Sequence, residues 1–103
     1  MTKPHEYYHL DKNKQLKPSD QIMFRELDDE SVLLNLHDES YYTLNSSGTF
    51  IWKELQNHHS LTAVYQIFKN HYNLKDEQAK VDFNELLSDL VDKKFGKMEP
   101  ILD

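Results

Sequence analysis

The residues in this chain that could do chemistry are six histidines, a dense set of carboxylates and scattered serines. A zinc site needs three or four ligands converging from fixed elements. His5 and His9 are four residues apart, a spacing that would share one helical face, but their segment carries Pro4 and no helical apolar pattern. His58 and His59 are adjacent in an expected turn. No compact ligand set follows, so neither a metal nor another cofactor is expected. The chain has no cysteine, which removes disulfides and thiolate sites. Ser, His and Asp all occur, but no nucleophile elbow and no Gly-rich phosphate loop accompanies them. The expectation is a protein that is not an enzyme and has no catalytic residues.

The chemistry that remains is binding. The formal charge is −6. Residues 1–20 hold four lysines (Lys3, Lys12, Lys14, Lys17) against Glu6, Asp11 and Asp20, which leaves the rest at 8 bases and 15 acids. An acidic body repels phosphate backbones and could favour a basic partner, although a charged face is most often only solvated. A last helix would carry Asp76, Glu77, Asp82, Glu85, Asp89 and Asp92 and no arginine. Recognition helices need bases for phosphates and Arg or amides for base edges. DNA binding is therefore the weaker alternative, and no nucleic-acid partner is expected.

The elements that must position these groups follow from periodicity. Residues 1–20 are polar with Pro4 and Pro18 and read as a flexible arm, with a short ordered piece at Tyr7 and Tyr8 or an ordered tail packed on the domain as the alternative. Ile22, Phe24, then Val32, Leu34 and Leu36 alternate with more polar neighbours, as half-buried strands do, while Met23, Leu27 and Leu33 sit in the other phase. Asp28-Asp29-Glu30-Ser31 and His37-Asp38-Glu39-Ser40 read as turns. Tyr41-Tyr42-Thr43-Leu44 has high strand propensity. Such short connections require antiparallel neighbours. The pattern predicts strands over 22–27, 32–37 and 41–44.

The period changes at Asn45. Asn45, Ser46 and Ser47 suit a helix N-cap, and Gly48, Ile51, Trp52 and Leu55 then share one face. Gly48 would permit close approach of helix and sheet. Ser60 can cap a second helix with Leu61, Val64, Tyr65, Phe68 and Tyr72 inward, and Asn73 can stop it. A third carries Phe83, Leu86, Leu87, Leu90 and Val91, with Gly96 as its stop signal and Pro100 beyond. Helices are predicted over 46–56, 61–71 and 76–94. The fold class is α+β: a three-stranded antiparallel meander followed by three helices, winged-helix-like. The division expected is an arm at 1–20, one domain at 21–96 and a short tail at 97–103.

Leu33-Leu34-Asn35-Leu36, Tyr41-Tyr42-Thr43-Leu44-Asn45, Gly48 and Ile51-Trp52-Lys53-Glu54-Leu55, in that order and spacing, resemble the coenzyme PQQ synthesis protein D family. The resemblance spans about residues 21–96. Ser46 stands where proline is common in the family, and Phe50 where alanine is common. The resemblance implies a non-catalytic peptide chaperone, or recognition element, that binds the leader of a ribosomally made precursor peptide. It implies that the leader adds as a strand beside the third strand, in a groove against the third helix. The peptide is then presented to a modifying enzyme, such as a radical SAM protein in the PQQ pathway, or to a leader peptidase in lasso-peptide-type systems.

A meander leaves the outer edge of its third strand unpaired, and an unpaired edge is a template for another chain. Ser40, Tyr41, Tyr42, Thr43 and Leu44 contain no Pro, Gly or Lys to block it. Together with Asp82, Glu85, Leu86 and Asp89 on the third helix they are the candidate peptide-binding residues. The plain structural alternative is that one tyrosine packs in the core, the other decorates the surface, and the arm or a second copy of the chain covers the edge, which would make a homodimer. A structural subunit of an enzyme complex is a further alternative. No segment approaches the roughly 20 apolar residues of a membrane span. Met1 to Leu10 is polar, unlike a signal peptide. A cytoplasmic location without membrane contact is expected.

Overall fold

The computed structural model describes residues 13–57 and 60–101. Tyr7, Tyr8, His5, His9, His58 and His59 lie outside the described residues. Strand β1 (Lys14–Pro18) comes first, then the meander β2 (Ile22–Leu27), β3 (Glu30–Asn35) and β4 (Tyr41–Leu44). Helices α1 (Ser46–Asn57), α2 (Leu61–His71) and α3 (Asp76–Asp92) follow, and β5 (Gly96–Pro100) closes the order. The α+β, winged-helix-like plan of a meander followed by three helices is present.

Several features differ from the sequence expectation. Lys14–Pro18, expected within a flexible arm, is a strand, and it pairs antiparallel with Gly96–Pro100 from the expected tail. Leu16 explains the ordering: it is the one residue of β1 that is buried, and it joins the helical core. A single apolar residue among lysines makes no periodic signal, so the strand was invisible in composition. Gly96 was expected to stop α3, but Lys94 takes the left-handed conformation there (φ 67°) and Gly96 has no positive φ. Gly96 serves packing instead. A Cβ at this position would lie 2.6 Å from Leu16 Cδ2, so the absent side chain lets β5 press against Leu16.

The meander also reverses one phase. β3 begins two residues earlier than expected and buries Ser31, Leu33 and Asn35, while Val32 and Leu34 are half-buried and Leu36 is 50% exposed. The inward positions include two polar residues, which is why the alternation read as the opposite face. Both are satisfied. Ser31 shares a 2.7 Å hydrogen bond with Thr49 of α1, and Asn35 Oδ1 accepts from the His37 backbone at 2.9 Å. Buried polar groups without such partners would cost about 1–3 kcal/mol each.

The helices bury most of the stripes their period requires, while Tyr72, Leu86 and Val91, also expected inward, are half-buried against the core. Ile51, Trp52 and Leu55 of α1, Leu61, Val64, Tyr65 and Phe68 of α2, and Ala79, Phe83, Leu87 and Leu90 of α3 are all buried in one cluster with Leu33, Leu44 and Phe95. Asn45 caps α1 by accepting from the Gly48 N–H at 2.9 Å. Gly48 lies against β4, where a Cβ would stand 3.2 Å from Leu44 Cδ2. Ser60 caps α2, and Asn73 leaves it in the left-handed conformation. Phe50, bulky for its place, stacks on His71 at 4.2 Å and meets the edge of Tyr72 at 5.5 Å.

Candidate functional site

β3 is the central strand of the meander, so among the described residues β4 is flanked by a strand on one side only. Which of its backbone groups are open follows from register. Asn35 donates its N–H to the Ser40 carbonyl at 2.8 Å, directly opposite it. Antiparallel pairs alternate between hydrogen-bonded and non-hydrogen-bonded positions. Tyr42 opposite Leu33 and Leu44 opposite Ser31 therefore bond β3. Tyr41 and Thr43 turn their N–H and C=O groups outward. The side chains divide the other way. Tyr42 and Leu44 face the helices, whereas Tyr41 is 70% exposed on the far face of the sheet.

Beyond this edge lies a groove of about 420 Å³ between β4, the first turn of α1 and one face of α3. Seven of the nine sequence-predicted residues line it: Tyr42, Thr43, Leu44, Asp82, Glu85, Leu86 and Asp89. Ser40 and Tyr41 do not. Ser40 is held in the preceding turn, where its N–H and Oγ both donate to Asp38, at 2.9 and 2.7 Å. Those bonds hold the Asp38 carboxyl below the usual range. Tyr41 contributes its outward backbone, not its ring. Asn45, Ser47, Gly48 and Ile51 line the groove and were not singled out for binding. The sequence signal for Asn45, Ser47 and Gly48 is an N-cap pattern, which marks a helix start, and for Ile51 the helical core stripe; the same start of α1 lines the groove.

Tyr42 joins the strand to the helix. Its hydroxyl donates to Asp89 at 2.9 Å, its ring packs 5.9 Å from Phe95, and Lys93 Nζ lies 5.8 Å from the ring centre. Burial pushes its ionisation up to about 12, helped by the hydrogen bond to Asp89 and by that carboxylate's charge. Lys93 Nζ is also 4.0 Å from Asp89. Asp82 accepts from Gln78 at 2.9 Å, and Glu85 is exposed. Asp82, Glu85, Leu86 and Asp89 recur at helical spacing, so α3 turns one acidic face with one apolar step toward the edge.

The arrangement offers backbone pairing and charge. Among the described residues no group of three or more His, Asp or Glu side chains converges as metal ligands would. No helix among them is long and apolar enough to cross a membrane.

The family model of coenzyme PQQ synthesis protein D matches residues 30–95, from the start of β3 through α3. The chain belongs to that family. Two solved structures share its fold. One is TbiB1 in complex with the TbiA(beta) leader peptide: 26% identity and a TM-score of 0.72 over 79% of this chain and 94% of that one. The other is a lasso peptide synthetase B1 complexed with the leader peptide: 23% identity and a TM-score of 0.71 over 81% of this chain and 98% of that one. No curated protein matches the chain in sequence. The family match covers both walls of the groove, the strand β4 and the helix α3.

Proposed function

We propose that this protein captures the leader segment of a ribosomally made precursor peptide by strand addition to β4 and presents the rest of that peptide to a modifying enzyme or leader peptidase. The observation that carries this reading is the pair of outward-facing backbone positions on β4, Tyr41 and Thr43, of which Thr43 lines the groove against α3. Added strands draw affinity from such main-chain groups and specificity from pockets beside them. Support comes from TbiB1, a protein of like fold held in complex with a leader peptide. The chain does no chemistry of its own; the partner enzyme does it. Because precursor and partner meet where peptides are made, the reading places the protein in the cytoplasm.

The test is an NMR titration of the isotope-labelled chain with the leader halves of short peptides encoded beside its gene. Shifts at Tyr41–Leu44 and along the Asp82–Asp89 face are expected. A leader that binds but perturbs only residues before 21, with β4 and α3 silent, overturns the reading.

A further inference from the structure

The register of the open edge says which residue of a captured peptide meets α3. An antiparallel strand added to β4 exchanges hydrogen bonds with Tyr41 and Thr43, the outward positions. Its residues opposite those two point to the far face of the sheet, as Tyr41 itself does. The residue between them stands opposite Tyr42 in a non-hydrogen-bonded pair. In such pairs the two Cβ atoms are about 4.5–5.5 Å apart on the same face. That residue shares the face of Tyr42, whose hydroxyl reaches Asp89.

The groove there is electrically one-sided. Asp82, Glu85 and Asp89 line it, and Leu86 is the apolar residue among them. Lys93, 4.0 Å from Asp89, offsets one of the three charges. Asp89 also accepts from Tyr42, whereas Glu85 is exposed and is engaged in no ion pair among the described residues. An acidic or bulky apolar side chain opposite Tyr42 would meet an excess of negative charge. A long cationic one can lay its methylenes on Leu86 and carry its charge to Glu85 and Asp82.

We propose that the groove selects for lysine or arginine at the single peptide position opposite Tyr42, with Glu85 and Asp82 as the residues that determine this preference. The inference rests on leader capture at β4 and adds the chemistry of the captured segment. The carboxylates act as the specificity wall of a site defined by the open edge.

The test uses a phage-displayed library of random 12-residue peptides selected on the full chain, with recovered peptides remeasured by fluorescence anisotropy. Recovered peptides should share one basic position, and Ala there should weaken binding about five- to tenfold, as expected for a half-exposed charge pair. The Glu85→Lys, Asp82→Lys double variant should instead recover Asp or Glu at that position, and Glu85→Gln should reduce the preference without reversing it. Neither side chain is buried in the core, and circular dichroism confirms that each variant is folded. Peptides that lose binding with Thr43→Pro but share no basic position overturn this inference and leave strand capture standing. Recovery of no peptide, or only of peptides indifferent to Thr43→Pro, overturns both.

Discussion

Proline substitutions at two neighbouring residues of β4 should have opposite consequences. Tyr42 turns its N–H inward to Leu33, and Thr43 turns its N–H outward. Leu33 is fully buried, so Tyr42→Pro leaves a buried carbonyl without its donor, at about 1–3 kcal/mol. It also removes a half-buried ring packed on Phe95 and the hydroxyl bound to Asp89, for roughly 1–2 kcal/mol more. The total, about 2–5 kcal/mol, is a large part of the roughly 5–15 kcal/mol that a domain has. Thr43→Pro loses only a solvent-facing donor on an edge strand, a place where proline is accepted, so it should cost less than about 1 kcal/mol. It should weaken peptide binding about tenfold or more, because one edge bond is lost and the ring stands in the path of the added strand. Urea denaturation of both variants, with anisotropy on a bound peptide, measures each arm. A folded Tyr42→Pro beside an unfolded Thr43→Pro would mean the alternation is assigned to the wrong residues. A Thr43→Pro variant that binds like wild type would refute pairing at this edge.

Trp52, buried on α1 with its ring 6.5 Å from that of Phe24, should cost about 3–5 kcal/mol when cut to Ala, seen as a lowered urea midpoint; an unchanged midpoint would refute its place in the core. Gly96→Ala should destabilise by about 1–3 kcal/mol through the clash with Leu16, and in a double-mutant cycle Leu16→Ala should absorb much of that penalty; strict additivity would show that the two do not touch. The Tyr42 phenol should titrate near 12 by carbon NMR of labelled tyrosine, and Asp89→Asn should lower that value partway, since burial is the larger cause. Because the folded state holds a proton that the unfolded chain releases, this contribution to stability is whole below pH 10 and lost as pH rises from about 10 to 12; a titration near 10 would show the ring to be solvated.

The helices were legible because their apolar stripes carry most of the core, and a stripe at period 3.6 tolerates little ambiguity. Trp52, Phe68, Phe83 and Leu87 are where the pattern puts them. β2 and β4 were legible as strands from propensity and turn chemistry. The facing of β3 was not, because Ser31 and Asn35 point inward and are satisfied by Thr49 and the 35–40 turn, contacts that no local pattern announces. The β1–β5 pair was not, because it joins residues some eighty apart through one buried leucine. At the candidate site, composition marked β4 and α3, but it could not say that Tyr41 and Thr43 offer the open backbone while Tyr42 does not. That distinction is a matter of register, and register is set by the pairing with β3.

Among the described residues the meander has a second edge with no strand beside it, on β2, and the side chains at the two edges distinguish them. On β2 the same alternation turns the backbone groups of Ile22, Phe24 and Glu26 outward, since Leu36 donates to the Gln21 carbonyl opposite it at 2.9 Å. The helix-facing side chains there are already engaged. Phe24 stacks on Trp52, and Glu26 is paired with Lys53 at 3.0 Å, so α1 is tied to that edge by both. A strand added to β2 would have to displace these contacts to place its own inward side chains. β4 opens instead on a groove whose far wall, α3, is joined to the strand at Tyr42 and Asp89 and stands clear around Glu85 and Leu86. Strand capture should therefore slow hydrogen exchange at the amides of Tyr41 and Thr43 and leave those of Phe24 and Glu26 as fast as in the free protein. Protection that appears at Phe24 and Glu26 while Thr43 exchanges freely would move the peptide to the other edge, and α3 would then have no part in recognition.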